Sequence, residues 1–198
     1  MRLLSTARLA MIAPLVLALG PLGCIGDVGD DDSDDGDDEL TAETQEALSS
    51  SCSISRSTIL ASVSGGRKTV VERAFTWWDA QVPYSQSKYY KSYRTDCSGF
   101  VSMAWQLGTS YTTANFYTGG GQSFPLGSYN SLQPGDALVR RSNGAGHIVL
   151  FLGWNNSAKT SACVIEQNST ALDMEFGTRT VSSMKNSGYK AIRADKFQ

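Results

Sequence analysis

The sequence predicts an α+β fold, because helical patterns come first and strand patterns follow them. Apolar residues recur at helical spacing over residues 67–81 and 97–107. Short apolar runs bounded by turn signals then predict strands. These strand candidates are residues 137–140, 147–153, 162–167, 178–181 and 189–193. Helices followed by strands are typical of helices packed on an antiparallel sheet.

The first 23 residues have the pattern of a secretory signal peptide. Arg2 and Arg8 precede an apolar run at residues 9–19, which is too short to span a bilayer. Gly23 before Cys24 resembles a bacterial lipobox, in which the cysteine is lipidated and becomes the new N-terminus. We therefore expect an exported protein, either a cell-envelope lipoprotein lipidated at Cys24 or a secreted protein. A retained anchor is the third alternative.

Residues 24–50 predict an acidic, disordered tether. The stretch from 27 to 46 contains 11 of the 19 Asp and Glu residues of the chain and almost no apolar side chains. Calcium binding is a weaker reading, since the spacing of an EF-hand loop is missing. Autoinhibition by contact with the following domain is the other alternative.

Residues 51–198 are long enough for one domain with a core, and we expect a monomer. This segment has 15 Lys and Arg against 8 Asp and Glu, a net charge of +7 that the whole-chain value of −2 conceals. A basic exported domain suits an anionic cell-envelope polymer. No nucleic-acid-binding motif is present, and membrane contact is expected only through an N-terminal lipid.

The four cysteines predict different roles. Cys97 precedes Ser98 and Gly99 at the start of the second helix, where Asp96 or Thr95 can cap it. A helix N-terminus favours the thiolate, so Cys97 is the candidate nucleophile. Cys52 and Cys163 remain, and in an oxidising compartment they favour a disulfide over two buried thiols.

The single histidine, His147, predicts a base for that thiol and excludes a multi-histidine metal site. If the strands at 147–153 and 162–167 form a hairpin with a two-residue turn at Asn156 and Ser157, His147 lies opposite Glu166, about 5 Å away at Cβ. The carboxylate would then orient the imidazole. A register slip of two residues would bring Asn168 there instead.

Three motifs together resemble the NlpC-type cell-wall cysteine peptidases, which are papain-like enzymes. The motifs are Tyr84 with DCSGFV at 96–101, LQPGD at 132–136 and HIVLFLG at 147–153. The resemblance covers roughly residues 67–168 and implies a papain-like fold with the nucleophile at a helix N-terminus.

The resemblance also implies an activity and roles for single residues. Family members cleave amide bonds in peptidoglycan stem peptides, commonly the bond following D-γ-glutamyl, without a metal or organic cofactor. Cys97 would be the nucleophile, His147 the general base and Tyr84 a residue beside the nucleophile that helps stabilise the oxyanion. Asp96 and Ser98 match positions near the amino end of the substrate. The third polar residue of the family is often His; here the matching strand offers Glu166.

Two other classes of function stay open at this point. One is a related cysteine enzyme with another acyl target, such as an amidase, a transglutaminase-like acyltransferase or a secreted toxin. The other is an inactive wall-binding module that keeps the scaffold.

Overall fold

The computed structural model describes residues 50–120 and 122–198. The predicted signal peptide, Cys24 and the tether up to residue 49 lie outside this part. The helices are Arg56–Ala61 (α1), Gly65–Asp79 (α2), Cys97–Ala104 (α3), Thr113–Thr118 (α4) and Val181–Asn186 (α5). The strands are Tyr89–Tyr90 (β1), Tyr93–Arg94 (β2), Ser123–Pro125 (β3), Ala137–Ser142 (β4), Ala145–Trp154 (β5), Ser161–Gln167 (β6), Met174–Thr180 (β7) and Lys190–Ala194 (β8).

A six-stranded antiparallel sheet is the centre of the fold. Its strand order is β3-β8-β4-β5-β6-β7, and β1 and β2 form a separate short hairpin. The mixture of a few helices with this sheet is compatible with the α+β class that the sequence predicts. No described helix has the length and apolar character that crossing a membrane requires.

Residues 109–129, which lie between the predicted helices and the predicted strands, are partly structured. They contain α4 and β3, and a 3-10 turn, Tyr129–Ser131, follows. Thr112 caps α4 reciprocally with Asn115, and Gly119 ends the helix in the left-handed conformation. These elements are six residues or shorter, so they contain too few repeats for periodicity to detect them. The helix α1 and the β1–β2 hairpin were missed for the same reason.

Two apolar clusters cover opposite faces of the sheet, because successive strand residues alternate between faces. Ile148 and Leu150 of β5 pack with α2 and α3 in the larger cluster. Val149 and Phe151 belong to the second cluster, which includes Met184 of α5. The central strand β5 is therefore buried on both sides, as its continuous apolar run predicts.

Asp136 connects the turn before β4 to the helix α2 and to the neighbouring strand β8. This fully buried carboxylate accepts hydrogen bonds from Arg67 of α2 and Arg193 of β8, at 2.8–3.0 Å, and from the backbone N–H of Gln133 at 2.8 Å. Asp136 therefore has a structural role in this turn.

The predicted two-residue turn between β5 and β6 is wrong. Residues 155–160 join the strands, and the register shifts at a bulge between Phe151 and Gly153. The ladder then pairs Leu150 with Ile165, and continuing that register would place Asn168, rather than Glu166, opposite His147. Turn length sets hairpin register, so one misjudged turn displaced the whole predicted pairing.

A disulfide joins Cys52 to Cys163 and closes a loop with a sequence separation of 111 residues. It attaches the segment before α1 to β6. In the same region the backbone N–H of Thr178 donates to the carbonyl of Ser50 at 2.8 Å. The N-terminal segment of the domain is thus held along the β6–β7 side of the sheet.

Gly99 allows β2 to approach the first turn of α3 closely. A Cβ atom at this position would lie 1.9 Å from the carbonyl oxygen of Arg94. Because the obstacle is backbone, it can be relieved only by moving β2 or the start of α3.

We expect Gly99→Ala to lower the free energy of unfolding by about 1–3 kcal/mol or more, because overpacking displaces backbone. Gly108→Ala is the matched control, since a Cβ there meets nothing within 4 Å. Urea denaturation of both variants measures the difference. Equal stability of the two variants would contradict the close approach of β2 to α3.

We also expect removal of the Cys52–Cys163 disulfide to cost about 4–5 kcal/mol through the loop that it closes. The variants are Cys52→Ala, Cys163→Ala and the double substitution. Each single variant already breaks the bond, so each should lose nearly as much stability as the double variant. Strictly additive losses in urea denaturation would instead indicate two independent thiols.

Candidate active site

Cys97 is the first residue of α3, and its neighbours build the start of this helix. Asp96 is the N-cap, and its Oδ1 accepts a hydrogen bond from the backbone N–H of Gly99 at 2.6 Å. The Ser98 hydroxyl donates to the same oxygen at 3.1 Å. Arg94 forms an ion pair with Asp96 Oδ2 and donates to Ser98 Oγ at 3.0 Å. The cysteine therefore lies at a capped, polar helix N-terminus, as the sequence predicts.

The described contacts of Asp96 and Ser98 are internal to the protein. Both side chains are buried, and both carboxylate oxygens of Asp96 already accept hydrogen bonds. These contacts give the two residues a role in forming the start of α3. Contact with the amino end of a substrate stays a prediction for them.

Cys97 is buried and disulfide-bonded in the structure. A disulfide sulfur cannot act as a nucleophilic thiolate. Any thiol chemistry at this position therefore belongs to the reduced protein.

A hydrogen bond joins His147 of β5 to Glu166 of β6. The distance between His147 Nε2 and Glu166 Oε2 is 2.5 Å, and both side chains are 0% exposed. The contact forms although the predicted register does not, because the two side chains are on the same face of the sheet and meet diagonally. Asn168, the alternative partner, instead donates its amide to Glu175.

Arg179 of β7 completes this buried cluster and was not found from the sequence. Its Nε donates to Glu166 Oε1 and its Nη2 to Glu166 Oε2, both at 2.9 Å. The sequence did contain one signal. Arg179 is the only charged residue in the predicted strand at 178–181, and a charge in a buried strand requires a partner.

The charges around Glu166 keep it ionised. Burial alone would raise the pKa of this carboxyl, but the charge of Arg179 and the hydrogen bonds from His147 and Arg179 lower it to about 2. An ionised carboxylate can only accept hydrogen bonds. His147 therefore donates through Nε2, so that its neutral form carries the lone pair on Nδ1.

The imidazole of His147 is neutral at neutral pH. Burial lowers its pKa below 6.5, and the positive charges of Arg179 and Arg140 act in the same direction, while Glu166 opposes them. A neutral imidazole with its lone pair on Nδ1 can accept a proton from a neighbouring group.

Cys97 and His147, the two main candidate residues, are on opposite faces of the sheet. His147 shares the face of Val149 and Phe151, whereas α3 packs with Ile148 and Leu150 on the other. Within the described strands, the β5–β6 ladder begins at the pair Leu150–Ile165, and no backbone pair joins His147 to β6.

Tyr84 packs in the same apolar cluster as Cys97. Its backbone N–H donates to Asp173 Oδ1 at 2.8 Å, and its hydroxyl oxygen accepts from Gln86 Nε2 at 3.3 Å. Burial raises the pKa of Tyr84 to about 12, so its hydroxyl stays protonated at neutral pH. The Tyr84 hydroxyl can therefore serve as a hydrogen-bond donor.

The described residues contain no cluster of side chains that could bind a metal ion. Among residues 50–120 and 122–198, no group of three or more His, Cys, Asp or Glu side chains is arranged to hold a metal ion. Glu166, the carboxylate beside the histidine, is already bonded by Arg179.

We expect stability to fall with acid in two stages. The pKa of His147 is lower in the folded than in the unfolded chain, so stability is lost as pH falls below about 6.5. Glu166, with a pKa of about 2 instead of 4.5, adds a loss between about pH 5 and pH 2.

The first stage can be assigned because His147 is the only histidine. Urea denaturation from pH 5 to 7.5 should show a slope for the natural chain that is absent in His147→Gln. An unchanged slope in that variant would contradict the lowered pKa.

Comparisons with known proteins assign no family to the chain. No protein-family model matches it, and no curated protein matches it either. The side chains around the start of α3 and the start of β5 are therefore the basis for a functional assignment.

Proposed function

We propose that the protein is an exported cysteine hydrolase that cleaves amide bonds in peptidoglycan stem peptides through Cys97, His147 and Glu166. The observation that carries the proposal is the buried hydrogen bond between Glu166 and Nε2 of the only histidine. This bond orients the imidazole of His147, and Cys97 begins the helix that packs on the other face of the sheet. The papain-like fold belongs to the same proposal.

The residue types support acyl transfer by a thiol. A free cysteine has a pKa of about 8.5, and a helix N-terminus together with an adjacent histidine lowers it to about 3.5–7.5. Arg94 neutralises the carboxylate of Asp96 next to Cys97, so that this carboxylate does not oppose formation of the thiolate.

In the first step, Nδ1 of His147 takes the proton of the reduced Cys97 thiol. The sulfur attacks the scissile carbonyl carbon and forms a tetrahedral intermediate with a negative oxygen. The backbone N–H of Cys97 and the Tyr84 hydroxyl are the proposed donors to that oxygen. Loss of one such donor typically costs about 10²–10³ in rate.

In the second step, the intermediate collapses and the C–N bond breaks. The His147 imidazolium gives its proton to the leaving amine, and the acyl group stays on sulfur as a thioester. His147 then takes a proton from water, the resulting hydroxide attacks the thioester, and the thiol is restored with that proton. Glu166 stays ionised throughout and stabilises the imidazolium.

The proposed substrate follows from charge and export together with the resemblance in the motifs. The +7 balance of residues 51–198 favours an anionic polymer outside the cell, and the predicted leader places the domain there. A lipid on Cys24 would hold the domain close to the envelope, with the acidic segment as a spacer.

We expect Cys97→Ala to reduce the release of soluble peptides from purified peptidoglycan by at least about 10³-fold, because no nucleophile is left. The full-length chain is assayed in reductant, which converts Cys97 to the thiol. Binding to peptidoglycan should stay unchanged, and so should the melting temperature in the same buffer.

Two controls make this result specific. The natural chain should be inactive without reductant and active with it, and Cys24→Ser should keep its activity in reductant. Mass spectrometry of the products identifies the bond, and an acyl chain transferred to an added amine would indicate a transferase. Full activity of Cys97→Ala would exclude the hydrolase proposal, and binding without any cleavage by the reduced natural chain would indicate a wall-binding module.

A further inference from the structure

The carboxylate of Glu166 accepts three side-chain hydrogen bonds, one from His147 and two from Arg179. Both of its oxygens accept hydrogen bonds from Arg179, at 2.9 Å each, and Oε2 also lies 2.5 Å from His147 Nε2. Glu166 and His147 are 0% exposed and Arg179 is 7% exposed, so water does not compete for these bonds. The geometry is the planar, two-pronged pairing of guanidinium with carboxylate, which fixes direction as well as charge.

We propose that Arg179 is a positioning residue that sets which nitrogen of His147 carries the proton, by holding both oxygens of Glu166. Its place in the fold suits this role. Arg179 pairs with Ala162 in the β6–β7 register, and its long side chain extends along the sheet to Glu166. It touches neither the thiol nor a substrate in this scheme.

The physical reason is the protonation state of a buried carboxyl group. Without a positive partner, burial would favour the neutral acid, which donates a hydrogen bond instead of accepting one. A protonated Glu166 would donate to Nε2 and force the imidazole proton onto Nδ1. An imidazole with its proton on Nδ1 cannot accept the proton of a thiol on that side. With Arg179 present, Glu166 accepts from Nε2–H and Nδ1 keeps its lone pair.

Other charged groups face the same pair and bear on its titration. Arg140 of β4 pairs with His147 across the ladder, and its guanidinium lies 5.7 Å from the centre of the Tyr189 ring. Tyr189, buried beside β8, and Glu175 of β7 also interact electrostatically with Arg179. Of these residues, Arg179 alone has a described hydrogen bond to Glu166, at either oxygen. It is therefore the residue whose replacement should change the proton position most directly.

The single histidine makes the test direct. The two ring nitrogens of His147 give the only imidazole signals in a ¹⁵N NMR spectrum of the full-length chain, so no assignment is needed. In the natural chain we expect a neutral ring protonated on Nε2 at pH 7. In Arg179→Met, the His147–Glu166 pair should bind a proton at higher pH, and the spectrum at pH 7 should show imidazolium or the Nδ1–H form.

Arg179→Lys is the second variant, because Arg179→Met leaves a buried carboxylate unpaired and could prevent folding. Lysine keeps the charge but cannot hold both oxygens in one plane. One oxygen of Glu166 then loses its donor, so the carboxyl binds a proton more readily than beside arginine. We expect this variant to fold and its His147 titration to move in the same direction as in Arg179→Met, by a smaller amount. Arg141→Met is the matched control: it removes a charge from the neighbouring position of β4, where the side chain bonds Thr113 and Gly144, and should leave the His147 titration unchanged.

The catalytic part of this inference rests on the proposed hydrolase function, but the NMR measurement does not need a substrate. If the function is right, the acid limb of the pH–rate profile should move to higher pH in Arg179→Met. The rate at pH 7 should fall by about 10²-fold, as a misplaced catalytic group typically costs. A His147 spectrum and titration unchanged in folded Arg179→Met, or unchanged in Arg179→Lys where the methionine variant does not fold, would overturn the role of Arg179. A shifted titration with no hydrolysis by the reduced natural chain would instead refute the function and keep the role.

Discussion

The carboxylate of Glu166, buried between Arg179 and His147, is the interaction on which the candidate site depends. Taking an ion pair out of water costs several kcal/mol per charge, which close geometry and further hydrogen bonds must offset. Here both conditions hold, since three bonds of 2.5–2.9 Å converge on one carboxylate. Such a cluster adds little net stability compared with an apolar core. It does fix the direction of one imidazole, which apolar packing alone could not do.

The position of His147 in the sheet imposes the second constraint. Strand alternation places its side chain on the face opposite α3, so the proposed proton transfer has to join groups from the two faces of the sheet. The six-residue connection and the bulge after Phe151 set the β5–β6 register and bring Leu150 opposite Ile165. The same irregularity that defeats a simple hairpin prediction makes Glu166 meet His147 diagonally instead of directly across the ladder.

Sequence patterns predicted the parts of this molecule that repeat or that carry strong local signals. The helix from Gly65 to Asp79 and the central strand β5 have several periods each, and the cap at Asp96 is a local signal. The register between β5 and β6 could not be predicted, because it depends on the loop at residues 155–160, which has no defined turn signature. Arg179 was missed because its partner lies on another strand: a lone charge in a predicted strand signals that a partner exists but does not identify it.

Two arginine–carboxylate ion pairs have separate structural roles at the site. Arg94 with Asp96 forms the start of α3, and Arg179 with Glu166 orients the imidazole. Each arginine offsets the negative charge of a carboxylate that is taken out of water. With both carboxylates paired, neither is a buried negative charge without a partner. The reactivity proposed for Cys97 therefore depends on these two ion pairs as much as on the cysteine itself.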